Sequence, residues 1–372
     1  MISPHQPPDP NQLKIGFFTD DFFPYRGGMG RYVHEVTTRL PLPLLVFSPT
    51  DSQLPFHVKV SPPLGNYLRN ISYSIFLNLY LPRFIARHEL TVINLQCGPG
   101  GLFLLKNPGL PVVATCHHTW WQQANYIREQ RWKRIFIPLE RRTYNIATQI
   151  ICDAIDTKKI LMEKYGINDD KICVIPLGVN RDTFHPIMDT PREKDSLLFV
   201  GRLDRRKGID FLLQALTLVQ RQIPGVRLYI ASRGSMPSHP KEQILKNNLQ
   251  DNVIHLGFVG DNELNTWYNK VDCCVVPSVF EGFGLTAVEA MAAGTAVIAT
   301  DVDGLRCIIQ NEKNGLLAEY GAPESLAACI IRLLRNDTLR ARLTGQGTLD
   351  AQINYNWNSA ISNMVNLFEN IQ

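Results

Sequence analysis

Residues 196–220 read SLLFVGRLDRRKGIDFLLQALTLVQ. SLLFV is a short apolar run, GRLDRRKG a polar loop, and FLLQALTLVQ places apolar residues at three-to-four spacing. The succession predicts a buried strand, a turn and an amphipathic helix, from which parallel sheets are built because parallel strands need a crossover between them. Downstream, VRLYIAS, VIHLGFV, CCVVPS and AVIATD alternate with KEQILKNNLQ, ELNTWYNKV, LTAVEAMAA and ESLAACIIRLLRN. Upstream, KIGFFT (14–19), LLVF (44–47), HVKV (57–60), TVINLQ (91–96), VVATCH (112–117), QIICDA (149–154) and ICVIPL (172–177) alternate with helical patterns such as RYVHEVTTRL and DTKKILMEKYG. Strands apolar throughout imply sheets covered on both faces. RDTFHPIMDTPREKDS (181–196), rich in Pro and charge, reads as a linker between the two series. The expected fold class is α/β, with two Rossmann-like domains, 13–185 and 186–356, facing a cleft at their strand C-termini. Two independent domains without a shared site are the alternative.

Composition agrees with two globular cores. The chain has 372 residues, 45% hydrophobic and 19% charged, with 38 Lys and Arg against 34 Asp and Glu. Neither disorder nor a fibrous period fits these figures, and a net charge of +4 does not point to nucleic acid. No apolar run approaches the roughly 18 residues of a spanning helix. Residues 1–12 read as a disordered lead-in without the basic start and apolar core of a signal peptide. Eight cysteines, none in a C-x-x-C pair, read as reduced thiols of a cytoplasmic protein, and no paired ligands suggest a metal site.

Four places combine special backbone with chemistry. In PYRGGMGRYV (24–33), Gly27 and Gly28 precede a helix whose free N–H groups suit a phosphate. The spacing is not that of G-x-G-x-x-G, and an ordinary Gly-rich turn is the stronger reading of these residues alone. In GRLDRRKG (201–208), four cations follow a strand. Arg202 and Lys207 are read as a diphosphate clamp, Arg205 and Arg206 as solvated charges. In SVFEGFGLTAVEAM (278–291), a Gly-rich turn opens an apolar helix that contains Glu289, a carboxylate needing hydrogen-bond partners such as sugar or ribose hydroxyls. Glu281 lies just before that helix, near the amides of its turn. His117 and His118 end the VVAT strand, and alternation allows only one of them to point inward.

Together these pieces resemble the retaining family 4 glycosyltransferases of GT-B architecture. The Gly27-Gly28 loop, His117, VIPLGVNRDTF (174–184), FVGRLDRRKG (199–208), HLGFV (255–259) and EGFGLTAVEAMAAGTAVIATDVDG (281–304) occur in the family's order and spacing. The resemblance implies a nucleotide-diphosphate sugar as donor substrate, with no cofactor and no metal. Arg202 and Lys207 would bind the diphosphate. Glu281 would meet hydroxyls of the transferred sugar, helped by the amides of Phe283, Gly284 and Leu285. Glu289 would hold the ribose, Gly27 and Gly28 would bring backbone N–H groups to the β-phosphate and acceptor, and His117, rather than His118, would touch the donor sugar. It also implies transfer of a hexosyl group to a hydroxyl of a saccharide or lipid-linked acceptor, with retention by front-face attack. Residues 357–372 resemble the family's last helix, which crosses back to the first domain. Two departures stand out: IASRGSMP (230–237) replaces a Gly-x-Gly, which leaves the base preference open, and Ala296 replaces a common Pro. A non-transferring relative, either an epimerase or a binding scaffold, is the alternative function, and a sugar phosphorylase is a variant within the enzyme class.

Charge divides unevenly. Residues 1–185 hold 20 Lys and Arg against 14 Asp and Glu, whereas residues 186–372 hold 18 against 20. Arg128, Arg131, Lys133, Arg134, Arg141 and Arg142 cluster around Trp132, Ile135, Phe136 and Ile137, while 67–85 is aromatic and apolar. One reading is peripheral docking at the inner face of the cell membrane, on anionic lipid near a lipid acceptor. The slightly favoured reading is a core helix and a solvated basic face.

Overall fold

Both series of apolar runs form the expected sheets. The structure is a computed structural model, described here for residues 13–62 and 69–371. The lead-in 1–12 and residues 67–68 of the apolar stretch lie outside the described residues.

The first series gives β1 (Ile15–Phe18), α1 (Gly28–Thr37), β2 (Leu44–Ser48), β3 (His57–Lys59), α2 (Arg69–His88), β4 (Val92–Cys97) and β5 (Val112–Cys116). It continues through α3 (Trp120–Tyr126), a 3-10 stretch at Arg128–Phe136, α4 (Ile137–Ile146), β6 (Gln149–Cys152), α5 (Ile155–Tyr165) and β7 (Ile172–Val174). The strands form one parallel seven-stranded sheet in the order β3-β2-β1-β4-β5-β6-β7. The inner strands β1, β4 and β5 are buried on both faces, which explains their unbroken apolar runs.

The second series gives β8 (Glu193–Val200), α6 (Ile209–Gln220), β9 (Arg227–Ala231), α7 (Ser238–Lys246), β10 (Val253–Gly257), α8 (Asp261–Lys270) and β11 (Val271–Val276). After these come α9 (Leu285–Ala292), β12 (Ala296–Thr300), α10 (Leu305–Ile308), β13 (Leu316–Ala318), α11 (Pro323–Leu334), α12 (Asp337–Asn354) and α13 (Trp357–Glu369). Its six-stranded parallel sheet runs β10-β9-β8-β11-β12-β13. On α6, Ile209, Leu212, Leu213, Leu216 and Val219 form the buried stripe against Leu197, Leu228, Ile230 and Val275. The short β13, too brief for periodicity, was not expected from the sequence.

The chain divides into two compact units. One comprises the described residues up to Pro176 together with those from Asn358 onward, and the other spans Leu177–Trp357. The boundary therefore precedes the 185/186 junction suggested by composition. The stretch 181–196 is also no free tether. His185 and Ile187 donate backbone N–H groups to the Oδ1 atoms of Asn265 (3.1 Å) and Asn269 (2.7 Å) on α8, and Glu193 already opens β8. Two asparagine side chains on one helix face thus bind a segment whose composition looked solvated. In the first unit, α13 returns to the sheet, where Phe368 meets Phe17 edge-on at 6.0 Å.

Helix α2 carries the described part of 67–85 and packs as a core helix on one face. Tyr73, Leu77 and Leu81 are buried in the first unit's core, whereas Ile75 and Leu79 are exposed. All eight cysteines are free thiols, five of them buried.

Candidate functional site

The second unit's strand order reverses between β8 and β11, and the loops leaving these two strands meet there. In the β8 loop, Asp204 Oδ1 caps the 3-10 turn Arg205–Lys207 by accepting the Lys207 N–H at 3.1 Å. Gly208 follows with φ +73°, and a Cβ there would lie 1.8 Å from the Pro277 carbonyl oxygen. Only glycine lets this turn rest against the end of β11. The β11 loop is tied in return: the Val279 N–H donates to the Arg206 carbonyl at 2.8 Å, and the Thr300 hydroxyl donates to the Ser278 carbonyl at 2.5 Å.

Glu281 is buried between these loops. Its Oε1 accepts from Lys207 Nζ at 2.6 Å and from the Ser278 hydroxyl at 2.7 Å, and its Oε2 accepts from Arg206 Nη1 at 2.9 Å. Burial alone would raise this carboxyl, but Lys207 and Arg206 outweigh it and hold it well below the usual carboxylate range. Burial conversely pulls the Lys207 ammonium down, against the opposing pull of Glu281.

The solvated role expected for Arg206 is overturned. Its side chain is only 15% exposed, whereas that of Arg202 is 69% exposed and meets Asp204 Oδ2 at 3.4 Å. Sequence reasoning read the cations of 202–207 by their neighbours, but the partner of Arg206 lies 75 positions away. Ser278, three residues before Glu281, was also missed as a partner of that carboxylate.

Gly284, at φ +112°, turns the chain into α9, and a Cβ there would approach Leu305 Cδ2 to 2.8 Å. Among the described residues, the amides of Phe283, Gly284 and Leu285 donate to no acceptor; Gly284 and Leu285 lack an intrahelical partner as the N-cap and first residue of α9, and Phe283 immediately precedes them. Glu289 on α9 is buried among Ala287, Val288, Ala290 and Met291, and its Oε2 accepts from the Tyr268 hydroxyl at 3.3 Å.

In the first unit, the loop after β1 is built around Asp21. Its carboxylate accepts the N–H groups of Arg26 (3.1 Å) and Gly27 (3.0 Å). A Cβ at Gly30 would stand 2.5 Å from Asp21 Oδ2, whereas one at Gly28 would meet nothing within 4 Å. At the ends of β4, β5 and β6 runs a buried polar ladder. Asn94 Nδ2 donates to the Thr115 hydroxyl (3.1 Å) and Gln96 Nε2 to Asn94 Oδ1 (2.5 Å). His117 Nε2 pairs with Gln96 Oε1 at 2.8 Å and Nδ1 with Asp153 Oδ2 at 3.3 Å, while Tyr32 meets the ring edge-on at 4.7 Å. Burial raises the Asp153 carboxyl, and His117 partly offsets that rise. His117, not His118, is the buried member of the pair. Asn94 and Gln96 were legible as two polar residues at alternate positions of an apolar strand, a signal the sequence reading passed over.

A family model for group 1 glycosyl transferases matches residues 180–349, and one for glycosyltransferase family 4 matches residues 26–183. The chain belongs to the group 1, family 4-like glycosyltransferases. An uncharacterised glycosyltransferase of Methanocaldococcus jannaschii is 30% identical over 240 residues, 60% of this chain and 61% of that protein. The chain spans only 50% to 61% of the length of this and other leading curated relatives. Sucrose-phosphate synthase from Thermosynechococcus elongatus shares the fold, with a TM-score of 0.82 at 23% identity over 96% of this chain and 98% of that one. HepE of Anabaena, solved in complex with UDP-glucose, does so with a TM-score of 0.76 at 17% identity over 97% and 100%. In this family member each matched segment contains a buried polar cluster at strand ends: Glu281 with its cations in one, His117 with Asp153 in the other.

Proposed function

We propose that this chain is a retaining glycosyltransferase that moves a hexosyl group from a nucleotide-diphosphate sugar to a hydroxyl of a saccharide or lipid-linked acceptor. The observation that carries the reading is Glu281, buried beside two cations at the strand-order switch and close to the open amides of α9. Rupture of an anomeric C–O bond builds negative charge on the leaving diphosphate. Preorganised cations and helix amides lower that barrier because they act where the charge grows. In this reading Lys207 and Arg202 meet the diphosphate, and Arg202 is free enough to swing onto it. Glu281 and the amides of Phe283, Gly284 and Leu285 take the sugar hydroxyls, and Glu289 takes the ribose. Gly28 supplies its amide to the β-phosphate, whereas the N–H expected from Gly27 is already held by Asp21, and His117 meets the donor sugar by giving up one of its two ring-nitrogen hydrogen bonds. No cofactor and no metal ligand is assigned. The proton of the acceptor hydroxyl passes to the leaving phosphate oxygen during front-face attack.

The test is a thermal-shift screen against UDP-, GDP- and ADP-sugars, followed by product analysis with the anomeric configuration read by NMR. A donor that binds the native state raises its melting temperature. A donor that binds but is only epimerised, or left unchanged, rules out transfer in favour of the epimerase or scaffold alternative. An inverted product rules out retention.

The first unit adds a second proposal, an anionic membrane as docking partner. Trp132 and Ile135 are 59% and 66% exposed, and Arg128, Arg131 and Arg134 stand exposed beside them. The loop around Phe103 and Leu105 joins this segment to α2, through Asn78 on one side and through Phe136 and Arg142 on the other. Apolar tips flanked by arginines suit the boundary of an anionic bilayer. Among the described residues, no helix is long and apolar enough to cross a membrane. The chain should float with anionic vesicles, less so at high salt or with Trp132→Ser. Equal flotation with neutral vesicles, or none at all, defeats the idea.

A further inference from the structure

Glu281 carries one negative charge and holds two cations. The two are held differently. Among the described residues, the Lys207 ammonium hydrogen-bonds only to Glu281 Oε1. Arg206 is anchored on several sides. Its carbonyl accepts the Val279 N–H at 2.8 Å, and its Nη1 donates to Glu281 Oε2 at 2.9 Å and to the Phe280 carbonyl at 3.4 Å. Its guanidinium also lies over the Phe280 ring, 5.6 Å from the centroid. The Ser278 hydroxyl supplies a separate donor to Oε1 at 2.7 Å.

An ammonium drawn onto a diphosphate loosens its grip on Oε1. A buried carboxylate that lost its only cation would take up a proton or turn away. With Arg206 on one oxygen and Ser278 on the other, Glu281 retains a donor on each oxygen after Lys207 has moved.

We propose that Arg206 is a positioning residue: it keeps Glu281 in place through Oε2 while Lys207 shifts its hydrogen bond from Glu281 Oε1 to the diphosphate of the donor. The inference rests on the transferase reading above, and it separates the cations by task. Lys207 and Arg202 bind the ligand, and Arg206 binds the residue that meets the sugar.

The experiment compares the full-length wild type with R206Q, R206K, S278A and K207A. It measures the Kd for the nucleoside diphosphate that stabilises the wild type, and kcat and KM for the matching donor across pH. R206Q should keep the Kd and KM near the wild-type values and lose about 10- to 100-fold in kcat, the scale on which orienting partners act. The acid limb of its kcat profile should move to higher pH, because Glu281 has lost one of the charges that keep it ionised. R206K should recover most of kcat and return the acid limb toward its wild-type position, and K207A should instead weaken the diphosphate. Should R206Q fail to fold, S278A and R206K carry the same comparison. If R206Q or R206K weakens the diphosphate as K207A does, with kcat at saturation and the acid limb unmoved, Arg206 is simply another ligand cation and the proposal fails. A wild type that binds no nucleoside diphosphate overturns the transferase reading, and the exchange with it; an active wild type with an unaltered R206Q overturns the exchange alone.

Discussion

Two substitutions at Glu281 and Lys207 should behave differently. Lys207→Ala leaves Glu281 with Arg206 and Ser278, so the fold persists while turnover falls by about a hundredfold or more, the scale for removing a preorganised charge partner. Glu281→Ala leaves two buried cations facing each other without their anion, a loss of about 3–5 kcal/mol on the scale of broken buried pairs. It should therefore melt well below Lys207→Ala in the same buffer as well as being inactive. Glycines allow a similar separation of fold from function. Gly28→Ala places its Cβ in open space, whereas Gly30→Ala drives one into Asp21. The first should melt like the wild type and bind nucleoside diphosphate less tightly; the second should lose stability. A Gly28→Ala protein with unchanged binding would remove Gly28 from the proposed phosphate contacts.

At the scale of elements, the packing of α3, α4 and α5 centres on a group that the sequence reading did not single out. Glu140 on α4 is buried; its Oε2 accepts the Trp120 N–H at 3.0 Å and shares a short hydrogen bond with the Tyr165 hydroxyl, and Tyr144 donates to Oε1 at 3.0 Å. Burial pushes its carboxyl up to about 8 from an ordinary 4.5, against the pull of those three donors. A raised folded value means that Glu140 keeps its proton in the native state while the unfolded chain releases it. Its contribution is full below pH 4.5 and is lost as pH rises toward about 8, by about 1 kcal/mol per pH unit within that window. Glu140→Gln should flatten the fall of melting temperature between pH 5 and 8. Equal slopes in the two proteins would show that Glu140 is ionised in the native state throughout. The elements themselves were largely legible, because an apolar strand and an amphipathic helix each announce themselves within a dozen residues. Glu140 was not, since its partners come from three helices.

At the scale of the molecule, the last helix belongs to the first unit although it follows the second in the chain. Phe368, almost fully buried and edge-on to Phe17, should lower the stability of the first unit by about 3–5 kcal/mol when changed to Ala. A urea titration followed by hydrogen exchange at β1 should show it, and unchanged exchange there would mean that α13 adds little to the sheet. The pairing of this helix with β1 joins the two ends of the chain, a contact no window of sequence contains. The same distinction runs through the site. Two doubly wound sheets, the glycines of the turns, and the presence of Glu281, Lys207 and His117 near strand ends and of Glu289 within an apolar helix all follow from local pattern, because hydrophobic period and backbone freedom are properties of neighbouring residues. Which cation of GRLDRRKG faces the solvent and which is buried on Glu281, that Asp153 and Gln96 hold His117, and that 181–196 is bound to α8 were decided only by folding. Those outcomes depend on partners tens of residues distant, and a buried charge is placed by whichever partner the fold brings within hydrogen-bond reach.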